Sequence, residues 1–425
     1  MSSFDRHYER LLEMLGQMEI VDCHEHLPPE KDRVAQDVDF SLFFSHYCRG
    51  DLLAAGMPPA EVEAFFKPDT AAEVKWRSFE PFYQRIQDGS YCRAAHIAME
   101  KFYGIGRLSS LDDAQALTAA MRQANRPGLY HQVLKEVCRI RLAMNYGAVT
   151  DDPEFFAPVI FVAEYGEVTP AVIRGLEDRL GVSCASLDRY VEAVARELRG
   201  LREQGMKGLK FHFAYMRDLH FAPRTHAEAE AVFNRVIEEG YGWRAFSLGY
   251  EESRPLQDYM VHRLIEMAGE MELPVVFHSS LQAYTGHNAD DARPLRLWNL
   301  PNRYRDVEFV VLHAGFPWLE EAALLAKQYA NVYLDLSWAH LMSPEITRRA
   351  LKSWVELAPM NKVFGFGGDY CVVEKVYGHL VMARENIARA LAEKIEDGSL
   401  PPARADAWLQ AMMRDNPARV FRLAL

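Results

Sequence analysis

The sequence predicts an α/β fold with eight parallel strands, a (β/α)8 barrel of the TIM type. Eight short apolar runs, of the kind buried on both faces of a sheet, alternate with helical patterns along the chain. A doubly wound open sheet would usually place a glycine-rich phosphate turn after its first strand, and this chain has His24-Glu25-His26 there. The predicted strands lie within residues 19–27, 140–144, 159–163, 209–213, 275–278, 309–313, 332–336 and 363–366.

The first strand carries two histidines at its end. Asp22, His24 and His26 alternate with the period of a strand, which predicts that the three side chains share one face. Two neutral imidazoles at a strand end can converge on one divalent cation such as Zn²⁺. Two ligands do not make a site, and a hydrogen-bonded histidine pair explains the same pattern. The rest of the chain has to supply further ligands.

A long helical segment follows, in which strand-like runs are missing. We expect helices near residues 58–66, 70–87, 91–103, 112–121 and 128–136, with Asp112 as the cap of the fourth. We therefore divide the chain into a (β/α)8 barrel, residues 1–27 and 137–425, and a helical insertion, residues 28–136. Because the insertion follows the end of strand one, we expect it to form a lid over the mouth and to shape the substrate pocket.

Several helices between the later strands have recognisable starts. Ser186 precedes a helix over 187–203, Thr225 and Glu228 form a capping box, and Ser343 with Pro344 precedes a helix over 345–357. The stretch 403–425 predicts a helix pair that packs on the barrel. These boundaries support one helix or more after each strand.

Polar side chains collect where the predicted strands end. Barrel enzymes build their sites there, because all eight strand ends point into one mouth. Any of these histidines alone is more often a core or hydrogen-bonding residue, but their number at five separate strand ends predicts a shared site. Besides the two histidines of strand one, the residues are Lys210 and His212 on strand four, His278 on strand five, His313 on strand six and Asp369 on strand eight.

Composition excludes several classes of partner. The net charge of −12 opposes binding to nucleic acid or to an anionic membrane, and the apolar runs are shorter than the roughly 20 residues that span a bilayer. The six cysteines lack paired spacing, which favours reduced thiols and a cytoplasmic protein. We expect a small-molecule substrate and a homo-oligomer, with no nucleic acid and no membrane.

The order His-x-His, Lys, His, His, Asp resembles the amidohydrolase superfamily of metal-dependent (β/α)8 enzymes. The resemblance is closer in the last third, to the amidohydrolase-2 group. Over residues 19–27 and 200–425 the chain is most similar to the amidohydrolase domain fused to some glutamine synthetases, and the placement of the insertion is similar to that in uronate isomerases. The motifs are PVVFH (274–278), VVLHAG (310–315), NVYLD (331–335), KVFGFGGD (362–369) and NPARVF (416–421).

Carried over residue by residue, the resemblance implies one divalent metal ion, zinc or manganese, held by His24, His26, His278 and Asp369. It also implies that Asp369 accepts a proton and that His313 acts as a general acid or polarises a carbonyl group.

Lys210 has two candidate roles. In two-metal relatives this lysine is carbamylated and bridges the metals, and His278 and His313 then bind the second one. As an ammonium it would instead pair with a substrate carboxylate. We expect the ammonium and a single metal.

Arg217, Tyr215 and Trp338 follow strand ends and are candidate substrate-binding residues, although packing on the rim explains them equally well. Arg217 could clamp a carboxylate with two hydrogen bonds.

The expected function is a metal-dependent hydrolase acting on an amide, lactone or ester bond of a small, carboxylate-bearing substrate. A decarboxylase or a uronate-type isomerase could use the same site. A non-catalytic regulatory or scaffold domain is the alternative from another class, and the full ligand set argues against it.

Overall fold

A parallel sheet of eight strands forms the centre of the computed structural model, which describes residues 1–149, 152–240 and 248–425. The strands follow one another in chain order, so the predicted (β/α)8 barrel is confirmed. Several strands end one or two residues before their predicted ends, and His313, near the end of the sixth, has left the extended conformation with φ 58°. The strands are β1 Ile20–Glu25, β2 Ile140–Tyr146, β3 Phe156–Phe161, β4 Gly208–Phe211, β5 Val275–Phe277, β6 Phe309–Val311, β7 Val332–Asp335 and β8 Val363–Phe364.

Individual backbone hydrogen bonds join the chain after β8 to β1. Cys23 N–H donates to the Phe366 carbonyl at 3.0 Å, and Asp369 N–H donates to the His24 carbonyl at 2.7 Å. A third bond, from His26 N–H to the carbonyl of Tyr370, measures 3.1 Å. Residues 366–370 therefore run beside β1 and bring the ends of the first and last strands together.

The segment between β1 and β2 builds a hydrophobic core of its own, in which the rings of Phe65 and Phe79 stack at 4.6 Å. Ser110, and not Asp112, caps the fourth predicted helix, because the Ser110 hydroxyl and the Asp113 carboxylate each bond the other residue's backbone N–H. The predicted boundary between the insertion and the barrel, at residue 136, stays a prediction. Residues within 129–134 belong to the predicted insertion, yet they pack into the barrel core. After α1 Ser3–Gln17, the segment contains α2 Glu30–Ala35, a 3-10 turn Phe40–Phe44, α3 Tyr47–Ala54, α4 Pro59–Phe66, α5 Ala72–Ile86, α6 Ser90–Tyr103, α7 Leu111–Ala124 and a π-helical turn His131–Val137.

The helices outside the barrel begin as their sequence signals predict. Ser186 and Ser343 accept hydrogen bonds from the first turns of their helices, and Thr225 and Glu228 form the reciprocal capping box. No helix within the described ranges is long and apolar enough to cross a membrane. The helices are α8 Ala163–Glu167, α9 Pro170–Leu180, α10 Leu187–Glu203, α11 His226–Gly240, α12 Tyr250–Glu270, α13 Asn299–Arg303, α14 Leu319–Gln328, α15 Ala339–Met342, α16 Pro344–Leu357, α17 Val373–Glu396, α18 Pro402–Gln410 and α19 Asn416–Val420.

The barrel interior is apolar in its middle and at the amino-terminal end of the strands. Val276, Val310 and Phe364 pack against one another there, together with Phe421, which follows α19. Phe421 lies beside Gly208, the first residue of β4, and so closes this end. The polar strand-end residues are left at the opposite end, where a cavity opens.

Candidate active site

A cavity of about 450 Å³ opens at the carboxyl ends of the strands. It brings together most of the strand-end residues predicted from the sequence. A second cavity, of about 490 Å³, adjoins it across His46 and Tyr284. The first cavity is lined by His24, His26, His46, Tyr47, Phe161, Lys210, His212, Tyr215, His278, Ala283, Tyr284, His313, Trp338, Asp369 and Cys371.

Three of these side chains place their donor atoms together. The Nε2 atoms of His24 and His26 lie 3.2 Å apart, and Oδ1 of Asp369 lies 3.5 Å from the first and 3.3 Å from the second. Two donors about 2.1 Å from one cation are separated by roughly this distance. In the part of the chain that the structure describes, these three residues form the group of donors whose atoms all lie within 4.8 Å of one another.

Both histidines have surroundings that suit a metal ligand. Nδ1 of His26 lies 3.2 Å from the carbonyl oxygen of Tyr146 and donates to it, which leaves Nε2 facing His24 and Asp369. The ring of His24 stacks on that of Tyr146 at 3.7 Å, and burial lowers the pKa of His24 well below its usual value. Two imidazole nitrogens beside a carboxylate fit a divalent cation.

Asp22 does not join the histidines, although strand period predicts the same face for all three side chains. Its Oδ1 accepts hydrogen bonds from the backbone N–H groups of His24 at 3.0 Å and Gly368 at 3.2 Å. The pairing of β1 with β2 shifts register between Asp22 and Glu25, and this irregularity breaks the simple alternation. Asp22 is fully buried and lies outside the cavity lining.

His278 stands beside this group and not within it. Its Nε2 lies 3.1 Å from the carbonyl oxygen of Leu281, so this nitrogen donates to the backbone and cannot bind a metal in the same state. The ring centre lies 4.7 Å from that of His313. The structure therefore brings three of the four expected ligands together and leaves the fourth tied to its own loop.

His313 is buried against Ser337 and Asp369. Its Nδ1 lies 3.1 Å from the Ser337 carbonyl oxygen and 3.6 Å from Oδ2 of Asp369. Because a carbonyl group accepts, Nδ1 carries the proton and Nε2 is left unprotonated. Burial lowers the pKa of His313 to about 3, which keeps the ring neutral. In this state His313 accepts a proton at Nε2, so it would have to take one up before acting as a general acid.

Lys210 lies at the end of β4 with its Nζ 5.2 Å from the centre of the Tyr146 ring. Burial lowers the pKa of Lys210 to about 7, and the nearby carboxylates of Asp369 and Asp335 oppose this shift. The side chain is 2 % exposed yet lines the cavity. Its ammonium group, when protonated, therefore places a positive charge at the cavity wall.

The three predicted rim residues have different places. Tyr215 and Trp338 line the cavity, whereas Arg217 does not. The guanidinium of Arg217 is buried and donates to the carboxylate of Asp258 at 2.8 Å and to the carbonyl oxygen of His220 at 2.8 Å. The expected substrate clamp is thus an internal ion pair, which ties the loop after β4 to α12.

Comparison with known proteins shows the family of this chain. A family model described as amidohydrolase, for the amidohydrolase-2 group, matches residues 21–423. This chain belongs to the amidohydrolase family. The match spans both the strand that carries His24 and the segment that carries Asp369, so the resemblance seen in the sequence is confirmed.

This amidohydrolase chain is also similar to one fungal protein and to two solved structures. Protein fluG of Emericella nidulans is 24% identical over 234 residues, which are 52% of this chain and 26% of that protein. Glucuronate isomerase from Caulobacter crescentus shares the fold with a TM-score of 0.79, 17% identity and coverage of 100% of this chain and 95% of the other. Uronate isomerase from Thermotoga maritima shares the fold with a TM-score of 0.77 and 14% identity, and the match covers 98% of this chain and 97% of the other. This chain thus spans about a quarter of the fungal relative.

Sequence reasoning did not find several residues of the amidohydrolase cavity. His46 and Tyr47 come from the segment between β1 and β2, and the Tyr47 ring stacks on that of Trp338 at 4.5 Å. His46 has φ 62°, a conformation that is uncommon for a residue other than glycine. A His-Tyr pair in a helical segment matches no functional motif, so the sequence contains no signal that would place these two residues in the cavity. Phe161 and Tyr284 complete the aromatic walls.

Proposed function

We propose that this amidohydrolase is a metal-dependent hydrolase that cleaves an amide, lactone or ester bond of a small carboxylate-bearing substrate. The observation that carries the proposal is the convergence of His24, His26 and Asp369 in one cavity with a neutral histidine, His313, and a buried lysine, Lys210. Metal ligands, a proton acceptor and a cation for an anionic group are the parts that such a reaction needs.

His24, His26 and Asp369 would hold the metal through two Nε2 atoms and one carboxylate oxygen. His278 would become the fourth ligand if its ring exchanged the Leu281 carbonyl for the cation. We propose zinc, with manganese as the alternative, because imidazole nitrogen and carboxylate oxygen suit both ions. When bound, the ion would supply Lewis acidity, which polarises a carbonyl oxygen and lowers the pKa of water.

Two side chains would move protons. The Asp369 carboxylate would accept a proton from water. Its contact with His313, at 3.6 Å, is to Nδ1, which already carries a proton. The proton would therefore reach the unprotonated Nε2 of His313 through water or the substrate, and Nε2 would give it to the leaving group. In this scheme Asp369 starts the transfer and His313 completes it.

Lys210 would bind the substrate carboxylate as an ammonium group, while the rings of Phe161, Tyr47 and Trp338 exclude water. No arginine occurs among the described residues that line the cavity. A substrate with one anionic group and an apolar or aromatic body fits these walls better than a polyhydroxylated acid does.

Uronate-type isomerisation is the second candidate, because uronate isomerases share the fold over nearly the whole chain. Decarboxylation needs the same parts, but no observation singles it out. The proposal also includes the cytoplasmic location and the homo-oligomeric state expected from the composition, and size-exclusion chromatography with light scattering would measure the latter.

Mass spectrometry in ¹⁸O-labelled water separates these reactions. The metal-loaded protein would be incubated with panels of N-acyl amino acids, lactones, aryl esters, aromatic acids and hexuronates. Hydrolysis incorporates one ¹⁸O into the product carboxylate, isomerisation leaves the carboxylate unlabelled, and decarboxylation removes the mass of CO₂. Turnover of hexuronates alone, with no ¹⁸O in any carboxylate, would overturn the hydrolase proposal in favour of the isomerase.

A further inference from the structure

Asp369 has an unusual backbone conformation. Its φ is 56°, in the left-handed region that residues other than glycine adopt infrequently. In this conformation its Oδ1 lies 3.5 Å from Nε2 of His24 and 3.3 Å from Nε2 of His26. Such a conformation persists where the surrounding structure holds the neighbouring peptide groups in place.

Two buried side chains hold the peptide groups of Gly368 from opposite sides. Oδ1 of Asp22 accepts from the N–H of Gly368 at 3.2 Å and also from the N–H of His24 at 3.0 Å. Nδ1 of His379, on α17, donates to the carbonyl oxygen of Gly368 at 3.0 Å. Asp22 thus joins the backbone of His24 to that of Gly368, the residue before Asp369.

A third buried side chain holds the residue after Asp369. Oε2 of Glu25 accepts from the N–H of Tyr370 at 2.9 Å. The Glu25 carboxylate also packs so closely on Gly368 that a β-carbon at this position would overlap it. A side chain at 368 would therefore displace the Glu25 carboxylate, and the peptide groups on both sides of Asp369 have hydrogen-bond partners.

None of these three side chains is among the described residues that line the cavity, and Asp22, Glu25 and His379 are all fully buried. They therefore do not contact a substrate. Burying two carboxyl groups and an imidazole is unfavourable compared with burying apolar groups of similar volume. A role that concerns only the stability of the core does not explain why all three converge on residues 368–370.

We propose that Asp22, Glu25 and His379 are positioning residues that fix the backbone of residues 368–370 and thereby direct the Asp369 carboxylate at the metal centre. The inference rests on the proposed metal centre. Outer groups that orient a ligand typically change metal affinity by about 10–100-fold when they are removed. The three residues should therefore set the affinity for the metal without touching it.

The test measures Zn²⁺ affinity by competition with a chromogenic chelator and records the visible absorption of the Co²⁺-substituted protein. His379→Leu removes the donor to Gly368 and should weaken Zn²⁺ binding at least about tenfold. His379→Asn keeps an amide nitrogen near the position of Nδ1 and should restore most of the affinity. Asp22→Asn and Glu25→Gln keep an acceptor oxygen and should weaken binding less than Asp22→Ala and Glu25→Ala do.

The matched control is His340→Leu. His340 is also a fully buried histidine near a glycine carbonyl, with its Nε2 3.2 Å from the carbonyl oxygen of Gly365, which follows β8 and lies four residues before Asp369. This variant, like His379→Leu, should lose thermal stability, but it should keep its Zn²⁺ affinity and its Co²⁺ spectrum.

Equal Zn²⁺ affinity in wild type, His379→Leu and Glu25→Ala would overturn the inference and leave the metal centre in place. Wild-type protein that binds neither ion would instead overturn the proposed function. Equal weakening by His340→Leu and His379→Leu, without rescue by His379→Asn, would show that the effect is a general loss of core stability and would also contradict the inference.

Discussion

His24 and Asp369 are joined twice. The backbone N–H of Asp369 donates to the carbonyl oxygen of His24 at 2.7 Å, and Oδ1 of Asp369 lies 3.5 Å from Nε2 of the same histidine. The contact that closes the barrel therefore also assembles the candidate metal centre. A change that separates the two strand ends should disturb both barrel closure and metal binding.

We expect purified protein to carry about one divalent metal per chain, and His26→Ala to lose most of it, because this variant removes one of three converging donors. Inductively coupled plasma mass spectrometry measures the content. His131→Ala is the control, since His131 is exposed on the segment between β1 and β2. Unchanged metal content in His26→Ala would contradict the proposed ligand set.

Lys210→Met should leave the metal content near one per chain and raise KM for an anionic substrate by about 10–100-fold, the usual effect of losing a hydrogen bond to a charged group. Two metals per wild-type chain, with one lost in Lys210→Met and one in His313→Asn, would show instead that the lysine is carbamylated. Metal analysis of the three proteins distinguishes the two states.

Substrate binding through Lys210 should depend on pH. Burial lowers the pKa of this lysine from 10.5 to about 7, so the ammonium is present below about pH 7 and is lost above it. KM for a carboxylate substrate should therefore rise as the pH increases from 6 to 9, and the steady-state profile of Lys210→Met should lack this rise. A flat wild-type profile would indicate that the lysine does not bind the carboxylate.

The lowered pKa of Lys210 also makes the free energy of unfolding depend on pH. The unfolded chain binds more protons than the folded protein between about pH 7 and pH 10.5, because its lysine keeps the ordinary pKa. The contribution of Lys210 to the free energy of unfolding should therefore increase with pH in this window. Urea titrations at pH 7 and pH 9 should show a larger gain for wild type than for Lys210→Met.

Tyr47→Leu should change substrate preference and keep the metal. Tyr47 lines the cavity, and its ring stacks on Trp338, whereas Phe82 lies on the same inserted segment outside the cavity lining. KM ratios across a substrate panel should shift several-fold in Tyr47→Leu and stay constant in Phe82→Leu. Equal ratios in both variants would contradict the prediction that the segment shapes the pocket.

Arg217→Met should lower the free energy of unfolding by about 3–5 kcal/mol, because it leaves the buried Asp258 carboxylate without its main partner. The double variant with Asp258→Leu should recover part of this loss. KM for a carboxylate substrate should not change, since the guanidinium does not reach the cavity. Chemical denaturation and steady-state kinetics of the same preparations check both statements, and a raised KM would restore Arg217 as a substrate ligand.

The sequence by itself determined the barrel and the approximate position of its site. Apolar runs alternating with capped helices define parallel strands, and the ends of parallel strands meet at one edge, so His24, His26, Lys210, His313 and Asp369 could be expected in one cavity. These predictions needed only local periodicity and one topological rule.

The tertiary structure decided which partner each polar group takes. Arg217 is held by Asp258 on α12, and Nε2 of His278 is held by its own loop, while the left-handed backbone of Asp369 depends on contacts from β1 and α17. The cavity wall also includes His46 and Tyr47 from a segment whose helices carry no catalytic motif. Local sequence cannot specify such partners, because hydrogen bonds and ion pairs form between groups that only the folded chain brings within about 3 Å of each other.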